Sequence, residues 1–166
     1  MGAHAEPGPG STLGTGVPAV MSPGGEQGVL SVPHGNERIL LLDTSILADH
    51  LRGHDPARRW LIATVEKGSV HFAYSTITLA ELMSGLSTEG SGRGAITALL
   101  DPMEPVPVDQ NIATLAGDYM RRWRRSHGLA MPDALIAGSA KARAATLVTS
   151  DVGHYPMDDI DLLKPY

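Results

Sequence analysis

Asp43, Glu81, Asp133 and Asp151 are the four side chains of this 166-residue sequence best placed to do chemistry together. Asp43 ends the apolar run Ile39-Leu40-Leu41-Leu42, and Asp151 follows Leu147-Val148-Thr149-Ser150. Asp133 follows Pro132, and Glu81 sits between Leu79-Ala80 and Leu82-Met83. Taken singly, each acid reads as a helix cap or a solvated charge. Asp133 suits the first turn of a helix, where the macrodipole favours a carboxylate, and Asp151 suits the cap of a following turn. Glu81 fits that account least, because its neighbours leave no obvious solvated face. Together, four carboxylates in one cleft would repel one another, and the repulsion is relieved by raised pKa values or by a bound cation. An all-oxygen donor set selects hard divalent ions such as Mg2+ or Mn2+ over zinc or copper. Such an ion suits phosphodiester hydrolysis, since it lowers the pKa of an attacking water and neutralises the phosphate.

The elements that would bring these acids together alternate between strand and helix. Arg38 to Asp43 is apolar on both faces, as a central strand of a parallel sheet requires. Thr44 or Ser45 offers a cap for a helix through Ile46-Leu47-Ala48, and Asp55-Pro56 starts a second helix running to Gly68. Val70 to Ala73 reads as strand two, and Ser75 or Thr76 caps the helix that carries Glu81. Gly90-Ser91-Gly92-Arg93-Gly94 reads as a hinge rather than a phosphate loop, since no strand precedes it and no Lys-Ser or Lys-Thr follows. A short helix over Ala95 to Leu100 comes next. Glu104 to Val108 is a short third strand, confined to an edge by Pro105 and Pro107. Asp109 caps an amphipathic helix that stops at His127-Gly128. Pro132 opens a helix over Asp133 to Ala144, Thr146 to Thr149 is strand four, and Ile160 to Leu163 is a candidate fifth.

Alternating strands and helices predict an α/β domain built on a parallel sheet. Ligands of such sheets lie at the carboxyl ends of the strands, where Asp43 and Asp151 stand. A helix leading into a parallel strand runs antiparallel to it, which puts Asp133 at the same edge. Glu81, early in the helix after strand two, joins them.

The segments Leu40-Leu41-Leu42-Asp43-Thr44-Ser45, Thr76 to Leu82, Pro132 to Ala137 and Leu147 to Asp151 resemble the four motifs of PIN-domain ribonucleases, most closely the bacterial VapC-type toxins. The resemblance covers residues 38 to 166 in order. It implies a three-layer α/β/α sandwich with four to five mainly parallel strands, and a metal-dependent endoribonuclease using Mg2+ or Mn2+ at a cytoplasmic site of action. By match, Asp43 and Asp133 are the direct metal ligands. Glu81 and Asp151 complete the cluster directly or through water, and Ser45 and Thr149 position water or substrate. The same resemblance implies RNA as substrate, a VapB-type antitoxin that wraps the protein, and a homodimer.

Composition limits the other readings. A formal net charge of −5 excludes a basic nucleic-acid coat, and the absence of cysteine excludes disulfide scaffolds and thiolate metal sites. No window approaches the roughly 18 apolar residues of a membrane span, and the start lacks a secretory pattern, so a soluble, cytoplasmic protein is expected. Residues 1–36 carry no Lys, Arg or aromatic residue and are rich in Gly and Pro. They read as a disordered extension outside the family pattern, ahead of a nuclease domain over 37–166. Arg121, Arg122, Arg124 and Arg125 flank Trp123 in the densest basic patch. They read either as a solvated helix end favoured by the macrodipole or as an RNA contact that holds phosphates and stacks bases. His50 and His54 stand at i, i+4 spacing, but Gly53 and Pro56 interrupt the helix, and both are assigned to the surface. A receiver domain that accepts phosphate on a strand-end Asp is a separate possibility. It is disfavoured because Asp43 has no acidic neighbour and no strand-end Lys is evident. A PIN-fold binding subunit without catalysis is disfavoured because all four acids are present.

Overall fold

The computed structural model describes residues 38–86 and 92–166. The expected disordered extension over 1–36, together with Gly90 and Ser91 of the expected hinge, lies outside the described residues. Strand β1 (Arg38–Leu42) leads into α1 (Thr44–Leu51) and α2 (Asp55–Lys67). Then come β2 (Val70–Ser75), α3 (Thr76–Ser84), α4 (Arg93–Leu100) and β3 (Glu104–Val106). A helical pair, α5 (Gln110–His127) and α6 (Met131–Ala142), precedes β4 (Thr146–Val148), a 3-10 turn (Val152–His154) and β5 (Leu162–Leu163).

Among the described residues all four strand pairings are parallel, in the order β3-β2-β1-β4-β5. The unbroken apolar run of β1 follows from its central place. Leu40 and Leu42 face one core, with Ile46, Leu47, Leu61, Ile96 and Leu100, whereas Leu41 faces the other, with Ile112, Ala116, Ala134, Ile136 and Ala137. A sheet with helices on both faces is the expected three-layer sandwich. From β1 the chain moves outward through β2 to β3, then returns to pair β4 on the opposite side of β1. The direction of winding therefore reverses between β1 and β4, and this switch point opens a crevice beyond their carboxyl ends.

Several boundaries differ from expectation for local reasons. β3 ends at Val106, because Pro107 has no amide to continue the ladder. Its edge position is as predicted. α1 is capped by Asp43 rather than by Thr44 or Ser45, and α2 by His54, with Asp55 as its first residue. α4 begins at Arg93 after Gly92, whose φ of 101° lies in the left-handed region. α6 ends at Ala142, and Ala144 adopts a left-handed φ of 48° before β4. α5 packs tightly on α6 at Gly138, where an added Cβ would lie 3.0 Å from the Ile112 carbonyl oxygen. His50 is half-buried with Nδ1 unpartnered among the described residues, which corrects its assignment to the surface. Burial and the nearby Arg58 push its imidazole below the usual histidine range. His54 is exposed and tilts against the Tyr166 ring at 5.6 Å.

Candidate active site

The crevice at the switch point is built around Asp43. Its main-chain amide donates to the Val148 carbonyl at 2.9 Å, which ties the ends of β1 and β4 together. Its side chain turns back over the start of α1 and is 6% exposed. Four donors converge on that carboxylate. Oδ1 accepts from the Thr44 amide at 2.8 Å and from Tyr155 Oη at 2.9 Å. Oδ2 accepts from Ser45 Oγ and Thr149 Oγ1, each at 2.7 Å. Those two hydroxyls are themselves oriented, since Ser45 Oγ accepts from the Ser150 amide at 3.2 Å and Thr149 Oγ1 from the Asp151 amide at 3.0 Å. A carboxylate has about four lone-pair positions, and here each has a donor.

The other acids arrive from three further elements. Ser75 caps α3 through the Ile77 amide, and the helix carries Glu81 to the crevice, where Thr44 Oγ1 donates to its carboxylate. Asp133 stands in the first turn of α6 beside Pro132. α6 is tied to β2 by a buried bond from Ser139 Oγ to Ser75 Oγ at 3.0 Å. Asp151 lies beyond β4 at the start of the 3-10 turn. Burial holds the Asp133 carboxyl above the usual carboxylate range; His154 opposes that push, and Asp43, Glu81 and Asp151 add to it. All three other carboxylates are thus within electrostatic reach of Asp133. Among the described residues, however, no three acidic or imidazole side chains stand close enough to close around an ion together. The four acids lie towards one edge of the sheet, but Asp43 is turned to its hydroxyl donors and Glu81 to Thr44.

Two site residues have no counterpart in the sequence reading. His154 sits between two of the acids, with Nε2 at 3.3 Å from Asp151 Oδ2 and Nδ1 at 3.8 Å from Asp133 Oδ2. Tyr155, 3% exposed, reaches Asp43 from beneath. Burial and the charges of Asp43 and Asp133 push its phenol far above the usual range, so the hydroxyl keeps its proton. The signal available was position alone: both residues follow a strand-end aspartate at a switch point within four residues.

The arginine patch is split. Arg121 pairs with Asp118 at 2.9 Å, and Arg122 approaches Asp158 at 3.8 Å while lying 4.6 Å above the Trp123 ring. Arg124 and Arg125 are exposed in the last turn of α5. The connection from Gly128 to Ala130 joins that turn to the helix start bearing Asp133. Trp123 is half-buried and packs against the core.

Comparison with known proteins agrees with this architecture. The PIN domain family model matches residues 40–160. Ribonuclease VapC10 of Mycobacterium tuberculosis is 38% identical over 128 residues, covering 76% of this chain and 92% of the relative. Ribonuclease VapC19 of the same organism is 37% identical over 127 residues, covering 76% and 98%. Among solved structures, FitAcB from Neisseria gonorrhoeae superposes with a TM-score of 0.60 at 26% identity, over 76% of this chain and 97% of that one. A DNA-bound VapBC from Salmonella typhimurium gives 0.65 at 20% identity, over 78% and 99%, a likeness of fold.

Proposed function

The chain belongs to the PIN domain family, and from that premise we propose that it is a VapC-type toxin, an endoribonuclease that hydrolyses RNA at the four-carboxylate crevice with Mg2+ or Mn2+. The nuclease domain runs from residue 37 to 166. The observation that carries this reading is the setting of Asp133, a half-buried carboxyl raised by burial and by three other carboxylates from separate elements. Crowded acids at a strand-end crevice suit a cation better than they suit stability. The donors are all oxygens, which fits a hard divalent ion. Asp43, on giving up one of its hydroxyl donors, and Asp133 would hold it, with Glu81 and Asp151 contributing directly or through water. The chemistry such an ion supplies when bound is a lowered water pKa and neutralised phosphate charge.

The chain's own groups do the rest. Ser45, Thr149 and Tyr155 fix the rotamer of Asp43, and Thr44 fixes that of Glu81. His154 lies over the Asp133–Asp151 side, where an RNA strand would enter. Arg121, Arg122, Arg124 and Arg125 would hold RNA phosphates, with Arg124 and Arg125 nearest in the chain to the helix that carries Asp133. This offers an acidic protein a local grip on a polyanion.

The expected protein partner is a VapB-type antitoxin, in keeping with the toxin–antitoxin complex from Klebsiella pneumoniae, which shares this fold at 25% identity and a TM-score of 0.60. A homodimer is expected as well. No helix among the described residues is long and apolar enough to cross a membrane, and a cytoplasmic site of action accompanies the RNA substrate.

The test is cleavage of RNA with Mg2+ or Mn2+ by the wild type, Asp43→Ala and Asp133→Ala. Cleavage by the wild type alone is expected. Equal cleavage by all three proteins would place the activity elsewhere, and no cleavage by any would favour a silent binding subunit.

A further inference from the structure

A cavity of about 390 Å³ lies beside the acidic edge, between α1, α3 and α4. Thr44, Ala48 and Leu51 line it from α1 at i, i+4 and i+7, so one face of that helix forms a wall. Leu82 and Leu86 line it from α3 and the turn that follows, and Ala95 and Ile96 from α4. Gly92 lets the start of α4 close against Leu86, whose Cδ2 would lie 3.0 Å from an added Cβ. Leu82 and Ile96 are buried in the core around Leu40 and Leu42, and Ala48, Leu51 and Leu86 pack against it half-buried. The polar groups stand at the two ends of α1: Thr44 with its partner Glu81 at the start and Arg52 at the finish, roughly 12 Å apart for a helix of eight residues. We propose that this cavity is a nucleobase pocket, which receives the base of a nucleotide flanking the bond cut at the four carboxylates, a role that rests on the ribonuclease reading above.

Continuity with the acid site comes first. Glu81 belongs both to the acid set and to the cavity, and Thr44, which follows Asp43 directly, joins the two. An RNA strand with a phosphodiester at the acids therefore passes the cavity with its neighbouring base. The lining then favours a base over a phosphate. Apolar walls suit the faces of a flat heterocycle, and the few polar groups suit its edge, which carries both donors and acceptors. At one end the Glu81 carboxylate accepts from amino or ring N–H groups and repels phosphate. At the other, the exposed Arg52 guanidinium gives one hydrogen bond to Asp49 at 2.7 Å and has further N–H groups for ring nitrogens or carbonyl oxygens. The volume falls in the range of small-ligand sites.

The experiment measures kcat/KM on an RNA oligonucleotide that the wild type cuts at one mapped bond, and on two analogues that each carry an abasic ribose on one side of that bond. Ala95→Trp, at an exposed position of α4, plugs the cavity, and Ala98→Trp, exposed on the same helix but outside the cavity, is the control. Melting temperatures check that both variants fold. Removing one of the two bases should cost the wild type and Ala98→Trp about tenfold. Ala95→Trp should be about tenfold slower than wild type on the intact RNA and lose nothing more when that base is removed. Losses that multiply in Ala95→Trp would mean that base and cavity act apart, which overturns the proposal and leaves the cavity to a protein side chain. The wild-type arm needs no variant, since equal rates on all three RNAs overturn the proposal by themselves. No cleavage of any RNA by the wild type with Mg2+ or Mn2+ would remove the ribonuclease reading itself, whereas cleavage indifferent to both bases removes only the pocket.

Discussion

Asp43 and Asp151 stand beyond the ends of adjacent strands of one sheet, yet their surroundings differ sharply. The Asp43 side is interior: the acid is 6% exposed and its two oxygens take four hydrogen bonds from three segments. The Asp151 side is open, with side chains of Asp151 and His154 that are 57% and 60% exposed and contact each other, His154 also approaching Asp133. A buried, fully bonded carboxylate has one orientation and holds it without substrate. An exposed one is free to adjust to whatever enters. Under the proposed function, the Asp43 side would supply fixed geometry and the Asp151 side would meet the RNA.

The largest expected effect comes from breaking the inner half. Asp43→Ala should lower RNA cleavage by on the order of 10³-fold, corresponding to about 4 kcal/mol of transition-state stabilisation. It should also lower folding stability by about 1–3 kcal/mol, because buried Tyr155 and Thr149 hydroxyls lose their acceptor. Chemical denaturation reads the second effect independently of the first. Replacing Arg121, Arg122, Arg124 and Arg125 by Gln tests substrate capture instead. RNA affinity should fall and the salt dependence of binding should flatten, by about 0.7 in the log–log slope for each lost phosphate contact to a single strand, with folding stability little changed. An unchanged affinity and slope would return the patch to a solvated helix end.

Asp151→Asn and Thr44→Val sharpen the contrast at smaller amplitude. Thr44→Val frees Glu81 from its donor and should cost about tenfold in cleavage. Asp151→Asn should reduce cleavage while leaving stability within about 0.5 kcal/mol, as for other exposed substitutions. A stability loss at Asp151 equal to that at Asp43 would erase the distinction between the two halves.

The smallest effect concerns Asp133 and pH. Folding raises its carboxyl above the unfolded value of about 3.9. The stability this gives the metal-free protein is complete below the unfolded value and is lost as pH rises through the folded one. Asp133→Asn, neutral throughout, should therefore melt a few degrees above wild type in chelator at neutral pH and show no such gain at acid pH. Scanning calorimetry at both pH values checks the sign.

The strand-end logic was enough to place the four acids at one edge of the sheet from residue types alone. Apolar runs ending in a carboxylate at Asp43 and Asp151 mark strand ends in a parallel sheet, and Pro132 marks the helix start that brings Asp133 to the same edge. What could not be read were contacts across long separations without periodicity. Nothing in Val152-Gly153-His154-Tyr155 indicates that a 3-10 turn points the imidazole at Asp133 and seats the phenol under Asp43. The choice of Asp43 over Thr44 or Ser45 as the α1 cap was hidden for a related reason: all three can cap, and only the fold turns the two hydroxyls toward Glu81 and Asp43. Half-burial of His50 likewise depends on neighbours brought by tertiary packing, outside the reach of local pattern.

The most direct test of the central claim is restoration of cleavage after chelation. Wild type stripped by chelator should be inert toward RNA and regain cleavage when Mn2+ or Mg2+ is returned in excess, while Asp133→Ala treated identically should stay inert. Cleavage that persists in chelator, or that the returned metal restores equally in Asp133→Ala, would contradict a divalent-metal nuclease centred on these four carboxylates.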